Sequence, residues 1–113
     1  MSSVKRPPPI GAMRDRFVLE APTRTADGSG GVYETWIAIA EVWGALIASS
    51  GSERFVNGRI EGRITHEVWI RTRADVAPST RLRLGTRLLH IRAVLIGDQV
   101  RHRMRLLCEE RDL

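Results

Sequence analysis

The sequence predicts an all-β domain: a small antiparallel barrel or sandwich of six to seven strands, with a long inter-strand loop and at most one short helix. Three observations predict it. Apolar and polar residues alternate with a period of two, most clearly through Ile64, His66, Val68 and Ile70. Turn-forming Gly, Pro, Asp and Ser recur roughly every eight to twelve residues, the spacing of short strands in sandwiches and barrels. A chain of 113 residues is one domain by length and can bury one core.

The elements follow in order. Met1 to Met13 contains Pro7, Pro8 and Pro9, which hold the backbone extended and poor in donors. Residues 1–13 therefore read as an arm, either reaching to a partner or simply a loose terminus, and 14–113 as the barrel domain. Phe17, Leu19 and Ala21 alternate with Val18 and Glu20, giving a first strand over 15–21 that Pro22 stops. Thr23 to Gly31 is a turn-rich loop in which Asp27-Gly28 and Gly30-Gly31 supply positive-φ positions. Val32 to Ile39 is a second strand. Glu41 to Ala48 is a third, or a continuation of the second through a bend. A helix over 34–48 is the alternative, but β-branched and aromatic residues together with Gly44 favour extended chain.

Ser49 to Arg63 is the long excursion. Ser52 could cap a short helix through Val56, while Gly58 and Gly62 argue for irregular chain. Loops of this length without their own structure are usually functional. Ile64 to Arg71 is a strand with Ile64, His66, Val68 and Ile70 inward, which turns Trp69 outward beside Arg71. Ala74 to Thr80 connects to a short strand at Arg81 to Leu84. Gly85-Thr86 turns the chain into a strand over Arg87 to Leu95, with Leu89, Ile91 and Ala93 inward. After Gly97-Asp98, Arg101, Arg103 and Arg105 alternate with His102, Met104 and Leu106 in a last strand ending at Glu110.

The charge is uneven. The net charge is +5, and every base but Lys5 is arginine. Ala26 to Glu53 holds no base and four acids (Asp27, Glu34, Glu41, Glu53), whereas Arg81 to Arg105 holds seven arginines against Asp98. Such asymmetry suits nucleic-acid contact, or subunits whose acidic face meets a neighbour's basic face; a solvated surface is the plainer account. Arginine serves either contact, since its planar fork pairs with carboxylate and phosphate alike.

No constellation for catalysis emerges, and the chain reads as a non-enzyme. His66, His90 and His102 are far apart and read as partly buried strand histidines. With Cys108 they match no metal-ligand spacing, so no metal and no cofactor is expected. Cys108 lacks a positioned base and reads as a small apolar residue at the end of the last strand. Glu109, Glu110 and Asp112 read as a solvated acidic end. No apolar run is long enough to span a membrane and no secretion signal stands at the N-terminus, which places the chain in the cytosol or in an assembly built there. Trp36, Trp43 and Phe17 lie in apolar patterns that look like core. Trp69 alone reads as exposed, as an interface anchor in preference to a base-stacking platform of a single-strand-binding barrel.

The order of features resembles the phage head-tail joining proteins, also called head-closure, head-completion or stopper proteins. The shared points are Gly11 with Arg14, Asp27 to Gly31, Trp36, Val42-Trp43-Gly44, then Thr65, His66, Val68, Ile70 and Arg71, and finally Arg87 with Ile91, covering Gly11 to Glu110. The arginine-rich later strands and the proline-rich arm depart from that pattern. The resemblance implies a barrel whose copies, six or twelve, form a ring in a virion neck assembled in the bacterial cytoplasm. An adaptor or portal ring would lie above it, a tail terminator or tail tube below, and packaged double-stranded DNA in the lumen. It also implies that the long loop plugs or lines the channel, here with Ser49, Gly51, Glu53, Arg54, Asn57, Gly58, Arg59 and Arg63. Asp27, Gly28, Gly30, Gly31, Trp69 and Arg71 are the expected contacts to partner rings.

Overall fold

The computed structural model describes residues 9–49, 53–56, 59–98 and 102–111. After one 3-10 turn at Ile10–Ala12 come eight strands: β1 (Asp15–Ala26), β2 (Val32–Ala48), β3 (Glu53–Val56), β4 (Arg59–Arg63), β5 (His66–Arg71), β6 (Arg81–Leu84), β7 (Arg87–Asp98) and β8 (Arg103–Arg111). Six close into an antiparallel barrel in the order β1-β2-β5-β8-β7-β6, and β3 pairs with β4 in a separate two-stranded sheet. Closure removes the sheet edges that a small β domain would otherwise expose. Among the described residues no helix is long and apolar enough to cross a membrane.

The barrel interior follows the alternation. Phe17 and Leu19 from β1, Val42 from β2, Val68 and Ile70 from β5, Leu82 from β6, Leu89 and Ile91 from β7, and Met104, Leu106 and Cys108 from β8 form one buried cluster, closed by Val76 of the β5–β6 connection. Cys108 thus lies in the core, where burial pushes its thiol up to about 12 and leaves it inert. Gly44 is required by close approach: a Cβ there would sit 2.7 Å from the Trp69 carbonyl oxygen and 2.9 Å from Ile70 Cγ2. The β6–β7 turn uses Gly85 at a φ of 63°.

Several sequence expectations are corrected. β1 does not stop at Ala21; it runs through Pro22 to Ala26, because β6 pairs only with Val18 to Glu20 and leaves Pro22 on an edge, where its missing donor is tolerated. The two segments over 32–39 and 41–48 are one strand. A bulge at Ile39, where Leu19 and Glu20 face Ala40 and Ala38, supplies the bend. Within the excursion after Ser49, the described residues Glu53–Val56 and Arg59–Arg63 are paired strands, so Glu53–Val56 is strand rather than helix. Ala93 is buried but not inward: Ile91 faces Cys108 while Ala93 faces Leu107, so the bulge at Arg92 reverses the parity. Ala93 packs instead with Ile64 and Leu107 in a second cluster outside the barrel.

The reading of Trp69 as an exposed anchor is also overturned. Trp69 points out of the barrel, as the alternation with Val68 and Ile70 requires, yet it is only 1% exposed. Glu67, Ala93 and Leu107 on the same outer wall are also buried, and β4 lies against β7 and β8 on this side. Conversely, Trp43 is not core. Val42 and Gly44 are buried while Trp43 between them is 54% exposed.

Candidate interaction surface

Beyond the pair Glu20–Ala38, β1 and β2 continue alone through six further pairs, from Ala21–Ile37 to Ala26–Val32. At 3.4 Å per residue this two-stranded arm reaches about 20 Å beyond the barrel wall. It contributes to a molecule measuring 52 × 31 × 24 Å. The tip is rigidly specified. Asp27 Oδ1 accepts hydrogen bonds from the N–H groups of Ser29 at 2.8 Å and Gly31 at 3.0 Å. The Asp27 N–H donates to the Gly31 carbonyl at 3.1 Å. Gly28 and Gly30 take φ values of 83° and 86°, a region side chains disfavour, and a Cβ on Gly31 would come within 2.5 Å of Asp27 Oδ2. These four residues build the turn.

Among the residues whose side-chain exposure is described, every exposed large apolar side chain lies on β2: Val32, Tyr33, Ile37, Ile39, Trp43 and Ile47. Scattered surface apolar residues need no explanation, but a set confined to one strand that runs from barrel to tip marks a contact surface.

The arm is anchored where it leaves the barrel. The Glu20 carboxylate accepts hydrogen bonds from Arg81 at 2.7 Å and Arg83 at 3.0 Å. Burial alone would raise this carboxyl, but the two guanidinium groups outweigh it and hold it below its usual range. Arg81 also lies 4.1 Å from the centroid of the Trp36 ring, and His90 meets Trp36 edge-on at 6.0 Å. Desolvation first, then the charges of Arg111, Arg81 and Arg92, push the His90 imidazole below its ordinary value. Trp36 is therefore a half-buried bracket at the base of the arm rather than core.

The arginines of the later strands are largely consumed inside the chain. Arg87 grips Glu110 with two bonds of 2.8 and 3.0 Å. Arg92 donates to Glu109 at 2.7 Å, and Arg111 approaches the same carboxylate at 3.5 Å. Arg105 meets Glu67 at 2.6 Å. The hydrogen bond from Arg87 pulls the Glu110 carboxyl down; at Glu109 burial opposes the shift and Arg92 prevails. Glu109 and Glu110 are thus paired strand residues, not a solvated end. His66 and His90 are partly buried as expected, whereas His102 is exposed ahead of β8. Among the described residues no three His, Cys, Asp or Glu side chains are grouped to hold a metal ion.

One cleft of about 390 Å³ opens on the outer wall beside β2, lined by Met13, Glu41, Val42, Trp43, Arg71, Arg73 and Arg103. Arg73 is held by Asp75 at 2.9 Å. Glu41 faces Arg16 at 3.8 Å, and Arg16 in turn lies 5.0 Å from the centroid of the Trp43 ring. Arg71 is exposed at the end of β5.

The residues expected at contacts fall into three places. Asp27, Gly28, Gly30 and Gly31 form the tip of the arm. Arg71 lies in the cleft, two residues from buried Trp69. Glu53, Arg54, Arg59 and Arg63 lie on β3 and β4, and the Ser49 N–H donates to the Thr65 carbonyl at 2.8 Å where the chain leaves the barrel. Gly51, Asn57 and Gly58 lie outside the described residues, as do residues 1–8 of the arm. Sequence reasoning missed the apolar face of β2 and the place of Trp43. The burial parity of Val42-Trp43-Gly44 was the available signal.

Residues 8–111 match the family described as phage head completion protein. Among solved structures, a chain in the virion of a native gene transfer agent particle is 32% identical, with a TM-score of 0.62 over 87% of this chain and 94% of that one. A protein of Shigella flexneri 2a, solved in solution, is 28% identical with a TM-score of 0.66, covering 89% and 95% of the two chains. No protein of curated function matches the sequence.

Proposed function

Because the chain belongs to the phage head completion protein family, we propose that it closes the DNA-filled head of a phage or gene-transfer particle as one subunit of a stopper ring. It works by shape and contact and transforms no substrate. Six or twelve copies surround a channel, with an adaptor or portal ring above, a tail terminator or tail tube below, and packaged double-stranded DNA in the lumen. The ring forms in the bacterial cytoplasm and remains in the particle neck. Residues 1–13 serve as an arm toward a neighbouring ring, and 14–113 as the ring-forming barrel.

The observation that carries this reading is the confinement of exposed large apolar side chains, among the residues whose side-chain exposure is described, to one strand of a closed barrel. A barrel has no free edge to offer along its closed wall, so partners meeting that wall do so through side-chain surfaces, and β2 presents one. The likeness to a chain of a gene transfer agent virion supports the setting. The β3–β4 hairpin, carrying Arg54, Arg59 and Arg63 on its strands, lines the lumen and meets DNA phosphates, a contact that weakens with salt.

Deleting the gene tests the role: heads should then lose their genome and carry no tails, and full, tailed particles without the protein would refute it. Changing Arg54, Arg59 and Arg63 to alanine tests the lining hairpin alone. Rings should still form while heads leak DNA, and unaltered DNA retention would remove the hairpin from the channel. The rival reading, a barrel stacking single-stranded nucleic acid on Trp69, loses that platform, since the ring is buried.

A further inference from the structure

The β1–β2 arm and the arginine cleft are complementary, and they lie on the same chain. The arm tip is acidic and apolar. Asp27 and Glu34 are exposed there, beside Val32 at 64% and Tyr33 at 52% exposure. Glu34 faces Arg24 of β1 at 3.9 Å in an exposed pair, which leaves Asp27 as the acid in excess, and β2 itself holds no basic residue. The cleft is basic, with an apolar floor. Arg71, Arg73 and Arg103 line it together with Trp43 and Met13. Two of its nearby charges are satisfied locally, Arg73 by Asp75 and Glu41 by Arg16. Arg71 has no ion-pair partner among the described residues and keeps its full charge at the cleft.

We propose that the tip of the β1–β2 arm of one copy seats in the Arg71–Trp43 cleft of the next copy, with Tyr33 against Trp43 and a tip carboxylate on Arg71. The inference rests on the ring reading and deepens it, because it names the two surfaces that meet. The contact is heterologous: tip and cleft are different patches, so each copy offers one of each and a chain of contacts propagates until rotation closes it. An arm of about 20 Å is long enough to cross from one small barrel to the wall of its neighbour. β2 runs from the tip to Trp43, so the one strand is engaged at both ends, once as donor and once as acceptor, with the bulge at Ile39 turning Tyr33 and Trp43 to opposite faces. A second copy fits the cleft better than nucleic acid does. The arm supplies a carboxylate for Arg71 and, in Val32 and Tyr33, exposed apolar groups for the Trp43 and Met13 side of the cleft, which a phosphate backbone lacks.

The test is cysteine cross-linking of the full chain in assembled particles. Cys108 is buried, so introduced thiols react alone. Tyr33→Cys and Arg71→Cys on one chain should give, on oxidation, a ladder of covalent multimers up to the ring, while each single substitution leaves monomer. No ladder from full, tailed particles that contain the doubly substituted chain would overturn this contact and leave the ring reading standing. Multimers from Tyr33→Cys alone would mean a symmetric tip-to-tip contact, and cross-links from Tyr33→Cys to another particle protein would mean that the tip serves another ring; either overturns it. Absence of the unsubstituted protein from particles would instead sink the ring reading. A charge exchange covers the case in which the cysteine variant fails to assemble. Glu34→Arg and Arg71→Glu should each lower incorporation into particles, and the two together in one chain should recover it. A double variant no better than the singles overturns the proposal, as would oligonucleotide binding by the purified protein that Arg71→Glu abolishes.

Discussion

The two halves of β2 contain similar residues and meet opposite fates. From Val42 to Ala48 the strand passes from β1 to β5, pairing with β1 up to Gly44 and with β5 from Gly44 onward, and Val42, Gly44 and Ala45 are buried. From Val32 to Ile39 it pairs with β1 alone, and Val32, Tyr33, Ile37 and Ile39 face solvent. Burial here is decided not by hydrophobicity along the chain but by whether a facing wall of the barrel exists. In a domain this size the core cannot cover every apolar side chain. In the proposed ring, the apolar residues left over on the arm would be covered by a partner.

The sharpest way to break that contrast is at its two tryptophans. Trp69→Ala should destabilise the fold by about 3 to 5 kcal/mol, because it empties a buried site on the outward side of β5. Urea unfolding monitored by circular dichroism measures it, and a loss comparable to that of an exposed residue would show that side to be loose. Glu20→Gln comes next, at about 2 kcal/mol, since it leaves Arg81 and Arg83 without their shared carboxylate at the base of the arm. Its signature is local. Hydrogen exchange should accelerate over Ala21–Ala26 and Val32–Ala38 and change little in β5 and β8. Gly44→Ala should cost about 1 to 3 kcal/mol, because the added methyl meets the backbone carbonyl of Trp69, which cannot yield as a side-chain end would.

Much of the barrel was legible because each strand obeys the period of two. The inward set Phe17, Leu19, Val68, Ile70, Leu89, Ile91, Met104 and Leu106 follows from alternation alone. Two kinds of feature escaped. Bulges at Ile39 and Arg92 shift parity without any sequence mark, which is why Ala93 reads as inward and packs outside. The second layer escaped for another reason. Alternation states which side of a sheet a residue faces, not whether that side is dry, so outward Trp69 was read as exposed. The β3–β4 pairing had a signal that went unweighted: Val56 pairs with Arg59, and the two residues between them, Asn57-Gly58, are the favoured pair for a two-residue hairpin connection. The arginine-rich face misled because the acids that neutralise it come from distant strands, as with Glu20 for Arg81 and Glu110 for Arg87.

Acidification separates arm base from barrel in a different way. Glu20, Glu109 and Glu110 have folded-state values held below the ordinary 4.5. Their contribution is therefore complete above about 4.5 and is lost as pH falls through the lowered values. His90 is also depressed, below an ordinary 6.5, so the unfolded chain binds its proton first and stability begins to decline once pH drops under that value. Unfolding free energy should thus fall in two steps, a shallow one beginning near 6.5 and a steeper one below about 4.5. His90→Gln should erase the first and leave the second. A single step in the unmodified protein would mean that His90 is not shielded beside Trp36.

The smallest effect on stability is the one that sharpens the contrast most. Trp43→Ala removes a ring as large as that of Trp69, from the adjoining strand, yet about half of its surface already meets water. Its one described partner on the ring face is Arg16, at 5.0 Å, an exposed cation–π contact worth about 0.5 to 1 kcal/mol. Unfolding free energy should therefore drop by no more than about 1 kcal/mol, several-fold less than for Trp69→Ala, while incorporation into particles should fall sharply because the cleft floor is gone. A large loss of stability would mean that the outer face of β2 is held by the fold itself. A small loss with normal incorporation would mean that its exposed apolar side chains serve no partner. Only a stable chain that fails to assemble fits a strand whose inner face builds the barrel and whose outer face builds the ring.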